Sequence, residues 1–470
     1  MTLIRSISGI RGTLGGAPGQ GLTPPDVVLY TAAFGTFLLR QADPGAARRV
    51  VLGRDARPSG PLVRDLVRGT LVGMGFEVVD LDLATTPTVE LAVTGEKALG
   101  GIILTASHNP VNWNALKLLN GRGEFISARD GAEVLRIAEE GDLDFAPVEA
   151  LGHVREQGGW TRRHIDAILG LPDLVDVPAI QERKLRVVVD AVNSVGGEAV
   201  PALLTALGVL EVIEINCSPT GRFAHDPEPL PANLKDLCDM VVKHKADLGI
   251  AVDPDVDRLA LVCEDGSLFG EEYTLVACAD HVLAHRPGDT VSNLSSTRAL
   301  DDIAERHGGG RHASAVGEVN VVERMKEVEA PIGGEGNGGV ILSELHYGRD
   351  ALAGIALFLT LLARRGGTVS DLRRSYPDYF ISKNKVQLTP DMDVQALVDA
   401  MQGRYRDRPH STVDGLRIEF GNEWVHLRRS NSEPIVRIYA EAGSPERADE
   451  LARGIMSELT ELAGTTAGGA

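Results

Sequence analysis

Three aspartates alternate in the run Asp253-Pro254-Asp255-Val256-Asp257-Arg258. Crowding carboxylates at every second position is costly, because mutual repulsion raises their pKa values unless a cation neutralises them. An all-oxygen donor set favours Mg²⁺, Ca²⁺ or Mn²⁺. The run opens like an EF-hand loop, and Glu264 falls at that loop's twelfth position. The sixth position of an EF-hand must be glycine, however, and here it is Arg258. The flanks, Leu248 to Val252 and Leu259 to Cys263, are strand-like rather than helical. The spacing therefore predicts a catalytic divalent-metal site at Asp253, Asp255 and Asp257, with Arg258 beside it to stabilise an anionic ligand.

Four further stretches carry chemistry. In Leu104-Thr105-Ala106-Ser107-His108-Asn109-Pro110, an apolar run from Gly100 feeds a polar loop, and Pro110 keeps a helix from starting inside it. Ser107, with a small neighbour before it and the polar pair His108 and Asn109 after it, presents its hydroxyl to a ligand. Lys117 follows, suited to hold a phosphoryl oxygen or move a proton. Gly333-Gly334-Glu335-Gly336-Asn337-Gly338-Gly339 is expected to be too mobile for a core element. Its Glu335 and Asn337 suit sugar hydroxyls, and it lacks the Lys-Ser/Thr pair of a Walker loop. Arg428-Arg429-Ser430-Asn431-Ser432-Glu433-Pro434, with Arg437 beyond, combines forked arginine donors with hydroxyls and an amide, a cradle for phosphate. Near the N-terminus, Ser8-Gly9-Ile10-Arg11-Gly12 places an arginine between glycines, as in a loop that approaches a ligand.

The elements that position these loops alternate in type. Helices are expected at Asp26 to Leu39, Leu62 to Gly73, Ala199 to Leu207, Val319 to Glu329 and Ala351 to Leu362. Strands are expected at 49–52, 77–81, 100–104, 185–189, 248–252, 259–263 and 289–296. Strand, glycine loop and helix in succession imply α/β units, repeated in architecture rather than in letters. Past residue 370 the pattern changes. A helix over 392–404 precedes alternating strands at 415–420, 423–427 and 435–440, then a terminal helix over 446–462 and a frayed tail from Ala463.

Length and composition bound the class. The chain has 470 residues, 43% hydrophobic and 24% charged, which is ordinary for a soluble protein of about three or four domains. Lys and Arg total 47 against 66 Asp and Glu, for a net charge of -19. That excess of acid argues against nucleic-acid or anionic-membrane partners. Cys217, Cys238, Cys263 and Cys278 show no C-x-x-C spacing and read as idle thiols of a reducing compartment. Met1 to Gly12 does not read as a signal peptide, and no apolar run approaches the roughly 18 residues of a membrane span. A cytoplasmic location is expected.

With a reactive serine, a three-Asp loop, a Gly-Glu-Gly-Asn loop and a basic cradle in this order, the chain resembles the α-D-phosphohexomutase family over nearly its whole length. The resemblance rests on Thr105 to Pro110, Asp253 to Arg258, Gly334 to Gly339 and Arg428 to Pro434. It implies a heart-shaped protein with a central cleft: three related α/β domains over 1–150, 151–259 and 260–369, and an α+β domain over 370–470. It implies that Ser107 carries a phosphoryl group and that one Mg²⁺ per chain is held by Asp253, Asp255, Asp257 and the Ser107 phosphate. A glucosamine or hexose 1,6-bisphosphate would serve as intermediate and primer. Glu335 and Asn337 would hold sugar hydroxyls, and Arg428, Ser430, Asn431, Ser432 and Arg437 the non-reacting phosphate. Arg11 and Lys117 would assist proton transfer and phosphate binding, with His108 counted beside Ser107 in the catalytic set.

The chain departs from many relatives where Gly339 replaces a histidine and Asn337 a serine of the sugar loop. Lys117 then becomes the favoured general acid/base, with His346 the alternative. The Gly-Glu-Gly-Asn-Gly-Gly form followed by His346 to Asp350 resembles the phosphoglucosamine mutase and phosphomannomutase branches of archaeal type. That likeness favours glucosamine phosphates over mannose or glucose phosphates as the small-molecule substrate. The retained Ser107 and the full three-Asp loop argue against a non-catalytic sugar-phosphate binder, since mere binding needs neither.

Overall fold

The computed structural model describes residues 2–6, 9–387, 394–429 and 435–467, with side chains up to 462. Four sheets organise them. In the first, strand Arg49–Arg54 runs parallel to Glu77–Leu83 on one side and to Gly100–Leu104 on the other. Gly100–Leu104 then turns back into the antiparallel strand Trp113–Asn120. The second sheet repeats this arrangement. Arg186–Asp190 lies between the parallel strands Glu211–Ile215 and Leu248–Val252, and the latter turns back into Leu259–Cys263. So does the third: Thr290–Asn293 lies between Arg311–Ser314 and Ile332–Glu335, which turns back into Gly339–Leu342. The repeat expected from the sequence is one of topology. In each unit the parallel series ends in a hairpin, and the three hairpin tips carry the serine, aspartate and glycine-rich motifs.

The fourth sheet is antiparallel throughout, in the order Phe380–Gln387, Ile435–Ala442, Trp424–Arg429, Leu416–Glu419, His410–Ser411. One face is covered by helices Val394–Arg404 and Pro445–Ala467, through Leu397, Met401 and Ile455 against Leu427 and Val436. The other face docks on the third unit. His426 Nδ1 lies 2.8 Å from Ser295 Oγ, Arg298 N donates to Glu441 at 3.0 Å, and Arg417 donates to the Leu294 carbonyl at 2.6 Å.

The second and third units share one core, in which Val189, Ile250 and Leu261 are continuous with Val276, Leu300, Ile355 and Phe358. Helix Ala351–Arg365 is apolar on nearly every face and sits inside this core. The hairpin Leu248–Cys263 straddles residue 259, the domain boundary that the resemblance implies.

Three expectations need correction. Gly9–Thr13 is a strand, not a loop, paired with Trp113–Asn120. Its glycines permit close packing, since a Cβ at Gly9 would stand 2.2 Å from the Leu116 carbonyl oxygen. The Gly333 to Gly339 cluster is buried hairpin rather than mobile chain. A Cβ at Gly333 would meet Met325 Sδ at 2.6 Å, and one at Gly334 the Gly339 carbonyl at 2.0 Å, so tight packing selects glycine here. Finally, the terminal helix continues through 463–467.

Candidate active site

The strand Gly100–Leu104 is buried along its whole length and delivers Thr105 and Ser107 to one end of the first sheet. Ser107 takes a left-handed backbone conformation, φ 49°, uncommon for a residue with a side chain and characteristic of functional turns. Two buried residues hold that turn. Thr105 Oγ1 accepts from Ser107 N at 2.9 Å and donates to Asp55 at 2.7 Å. Arg57 is paired with Asp55 at 2.9 Å and donates to the carbonyls of Ser107, of Asn109 at 2.7 Å and of Pro110 at 2.6 Å. A charged guanidinium with five forked donors can satisfy several loop carbonyls at once. Neither Asp55 nor Arg57 is among the sequence candidates, although both lie in the glycine-bounded loop that follows strand Arg49–Arg54.

The Ser107 hydroxyl donates to Asp253 Oδ2 at 2.9 Å, which brings the first two motifs together across units. Asp253, Asp255 and Asp257 are fully buried, with one oxygen of each within 4.8 Å of the others. Asp255 Oδ1 and Asp257 Oδ1 have no hydrogen-bond partner. Val256 between them is left-handed at φ 64°, a strained choice for a β-branched residue that lets alternate carboxylates converge. Burial and the charges of Asp257 and Asp255 push the Asp253 carboxyl well above its usual range. Unpartnered buried oxygens and a carboxylate driven toward neutrality both fit a hard divalent cation. This cluster is able to bind a metal.

Lys117, on the returning strand of the first hairpin, places Nζ 2.7 Å from Asp255 and 3.6 Å from Asp257. Burial disfavours its charge, but the two aspartates outweigh burial and hold its pKa above the ordinary lysine value. Thr86 adds a hydrogen bond to Asp255 at 2.7 Å. His108 Nδ1 lies 3.4 Å from Ser107 Oγ, and burial together with Arg258 lowers the imidazole to about 3, so the ring is neutral. Arg11 lies on the same face of the sheet as Lys117, one strand away. Its Nε is buried without a partner, an open donor for an anion. Arg258 pairs with Glu228 at 3.1 Å, and its Nε lies 3.9 Å from Asp257 Oδ1 without a hydrogen bond.

Arg349, absent from the sequence candidates, joins the second and third motifs. It reaches Asp257 at 2.7 Å, Glu335 at 3.0 Å and Glu318 at 3.0 Å. Glu335 also accepts from Asn293 at 2.8 Å and from Gly317 N at 3.0 Å. Asn337 Oδ1 accepts from Gly339 N at 3.2 Å at the hairpin tip. His346 does not join this site. Its two ring nitrogens face Glu90 and Asp350, each at 3.2 Å.

In the fourth unit, Ser430, Asn431 and Ser432 lie outside the described residues. Arg428 and Arg437 are directly opposed on neighbouring strands, and Lys385 is opposed to Arg437 on its other side. Like charges facing across strands destabilise a sheet. Among the three, Arg428 pairs with Asp414 at 3.1 Å, while Lys385 and Arg437 are exposed. Such a row of like charges can seat an anion. Lys385 is hidden in the sequence because it lies far from the cradle in the chain.

A serine hydroxyl against a buried carboxylate cluster, with cations at the rim, is suited to phosphoryl transfer, which needs positioning and charge neutralisation more than covalent chemistry. Fold and site together define a phosphohexomutase-type isomerase. All four domains described for phosphoglucomutase/phosphomannomutase are matched: α/β/α domain I over residues 3–144, domain II over 162–266, domain III over 270–379 and the C-terminal domain over 385–458. A phosphoglucomutase/phosphomannomutase of Thermococcus kodakarensis is 35% identical over 93% of this chain and 96% of its own. A probable phosphoglucosamine mutase of Methanopyrus kandleri is 33% identical over 94% and 95%. The crystal structure of a phosphoglucomutase/phosphomannomutase family protein from Burkholderia thailandensis superposes with a TM-score of 0.85 at 27% identity, covering 98% of each chain. The chain belongs to the phosphoglucomutase/phosphomannomutase family. Among the described residues no helix is long and apolar enough to cross a membrane.

Proposed function

We propose that this protein interconverts glucosamine 6-phosphate and glucosamine 1-phosphate through a phosphorylated Ser107 and a 1,6-bisphosphate intermediate. The observation that carries the reading is the 2.9 Å contact of Ser107 Oγ with Asp253, inside a carboxylate cluster with two unpartnered oxygens. Asp253, Asp255 and Asp257 would hold Mg²⁺, which when bound neutralises charge on the transferring group. In the first half-reaction the P–Oγ bond breaks as a bond to the free sugar hydroxyl forms. Lys117, which stands as an ammonium, gives a proton to Ser107 Oγ and takes up the proton that the sugar hydroxyl releases, so the lysine is an ammonium again for the second half-reaction. In the second half-reaction the turned bisphosphate returns its other phosphate to Ser107. The row Lys385, Arg437 and Arg428, with Ser430, Asn431 and Ser432, would grip whichever phosphate is not reacting. Glu335 and Asn337 would meet the sugar hydroxyls, and Arg11 and Arg258 the phosphoryl oxygens.

The preference for glucosamine rests on the Gly-Glu-Gly-Asn-Gly-Gly loop and on the name of the Methanopyrus relative. The Thermococcus relative's name favours glucose and mannose phosphates as the second reading. Catalytic efficiencies on the 1-phosphates of glucosamine, N-acetylglucosamine, glucose and mannose decide between them, and higher efficiency on mannose phosphate than on glucosamine phosphate overturns the first. Intact mass should show about one phosphate, lost in Ser107→Ala. Isomer formation should require a bisphosphate primer and release little inorganic phosphate.

A further inference from the structure

Behind the active site the three α/β units meet at a cluster that the reaction does not use. His164 comes from helix Trp160–Leu169, Asp350 caps helix Ala351–Arg365, and His346 lies in the loop before that cap. We propose that His164, His346 and Asp350 form a second cation site, for a late first-row divalent metal such as Zn²⁺, distinct from the aspartate triad.

The geometry gathers two imidazole nitrogens around one carboxylate oxygen. His164 Nε2 lies 2.8 Å and His346 Nε2 3.2 Å from the same atom, Asp350 Oδ2, and all three atoms lie within 4.8 Å of one another. A tetrahedral ion with ligand bonds of about 2.0 Å has ligand-to-ligand edges of roughly 3.3 Å. Asp350 Oδ1 is committed elsewhere, accepting from Leu352 N at 2.8 Å and Ala353 N at 3.1 Å, which fixes the carboxylate with Oδ2 facing the histidines.

Each imidazole also has a polar group facing its outer nitrogen. His164 Nδ1 lies 3.0 Å from Thr88 Oγ1, which is 2.7 Å from Thr85 Oγ1. His346 Nδ1 lies 3.2 Å from Glu90 Oε2. Glu90 is buried at 1% exposure, and neither of its oxygens makes a well-formed hydrogen bond. Gly348 leaves room for it, since a Cβ there would stand 1.9 Å from Glu90 Oε2. A hydroxyl and a carboxylate on the outer nitrogens of two histidines is the arrangement that orients imidazoles toward a metal. Two nitrogens and one oxygen favour Zn²⁺ over Mg²⁺, so the two sites differ in selectivity. The ion would join elements of all three units, and Arg349, next to Asp350, would transmit that bracing to Asp257 and Glu335.

The test is retention of Zn²⁺ by chelator-treated, Zn²⁺-reloaded protein after gel filtration, read by elemental analysis. One equivalent per chain is expected in the unmodified protein and in Asp255→Asn, and less than a tenth of an equivalent in His346→Gln. Because a substitution at the junction risks the fold, Co²⁺ is titrated into the unmodified protein as well, where the intense visible bands of a four-coordinate ion are expected. No retained Zn²⁺ in the unmodified protein, equal retention in His346→Gln, or only the weak spectrum of six-coordinate Co²⁺ would each overturn the site and leave the cluster an ion bridge between units.

Discussion

Arg57 donates to the carbonyl oxygen of Ser107 while its Nε pairs with Asp55, so one buried guanidinium sets the shape of the loop that presents Ser107. Lysine keeps the charge but cannot reproduce the fork. Arg57→Lys should lower kcat by about 10²-fold through misplacement of Ser107, with KM little changed. It should lower stability by on the order of 2 kcal/mol, because loop carbonyls lose their donor. Steady-state kinetics and denaturant titration check both. A rise in KM at constant kcat would mean that Arg57 binds substrate instead of positioning the serine.

Asp255 stands between Lys117 and the centre of the carboxylate cluster, 2.7 Å from the ammonium. Asp255→Asn removes one anionic ligand and releases Lys117. Activity should fall by about 10²–10³-fold, as when one preorganised electrostatic group is lost from a phosphoryl-transfer site. Chelation of divalent ions should abolish turnover of the unmodified protein, and added Mg²⁺ should restore it. Calorimetric Mg²⁺ titration of the variant should show weaker binding, and unchanged affinity would place the metal elsewhere.

How far the sequence reaches is visible in these same residues. Ser107 and the three aspartates are legible because each motif is contiguous and its residue types are expensive to place together without a purpose. Asp55, Arg57, Arg349 and Lys385 are not, because their roles arise only when the chain brings distant segments together: Arg349 meets Asp257 across 92 positions. The alternation of strands and helices is legible wherever apolar runs are long and bounded, as at Gly100–Leu104 and Leu248–Val252. The strand Trp113–Asn120 is not, because polar residues interrupt it and its pairing with Gly100–Leu104 decides its conformation. The glycines at 333–339 mislead for a related reason: composition cannot distinguish a flexible loop from a hairpin packed too tightly for side chains.

The opposition of Lys385, Arg437 and Arg428 predicts a substrate effect without a fold effect. Arg437 is exposed on a strand whose other face is core. Arg437→Ala should raise KM for the sugar phosphate by on the order of tenfold, equivalent to about 1.4 kcal/mol of lost charge-assisted contact. The melting temperature should hold or rise slightly as like-charge repulsion is relieved. Initial-rate kinetics with thermal melts check it, and an unchanged KM would remove this row from the phosphate site.

Glu272 lies beneath the sugar-loop hairpin, so close that a Cβ on Gly336 would stand 1.8 Å from its Oε2. Burial pushes its carboxyl up to about 8, against the pull of Lys383. The folded protein therefore retains a proton here that the unfolded chain, with an ordinary glutamate, has already released near neutral pH. A raised carboxyl contributes stability that is whole below about pH 4.5 and is lost as pH climbs through about 8. Glu272→Gln is neutral throughout, and its side-chain carbonyl can still accept from Thr297 N, which donates to Glu272 Oε2 at 3.0 Å. The variant should match the unmodified protein near pH 4.5 and become progressively more stable than it up to about pH 8. The gap should reach a few kcal/mol, growing by about 1.4 kcal/mol for each pH unit climbed within that interval. Denaturant titrations across the interval measure the difference directly. A constant difference at every pH would show that Glu272 is already ionised in the folded protein, with its charge satisfied by Lys383.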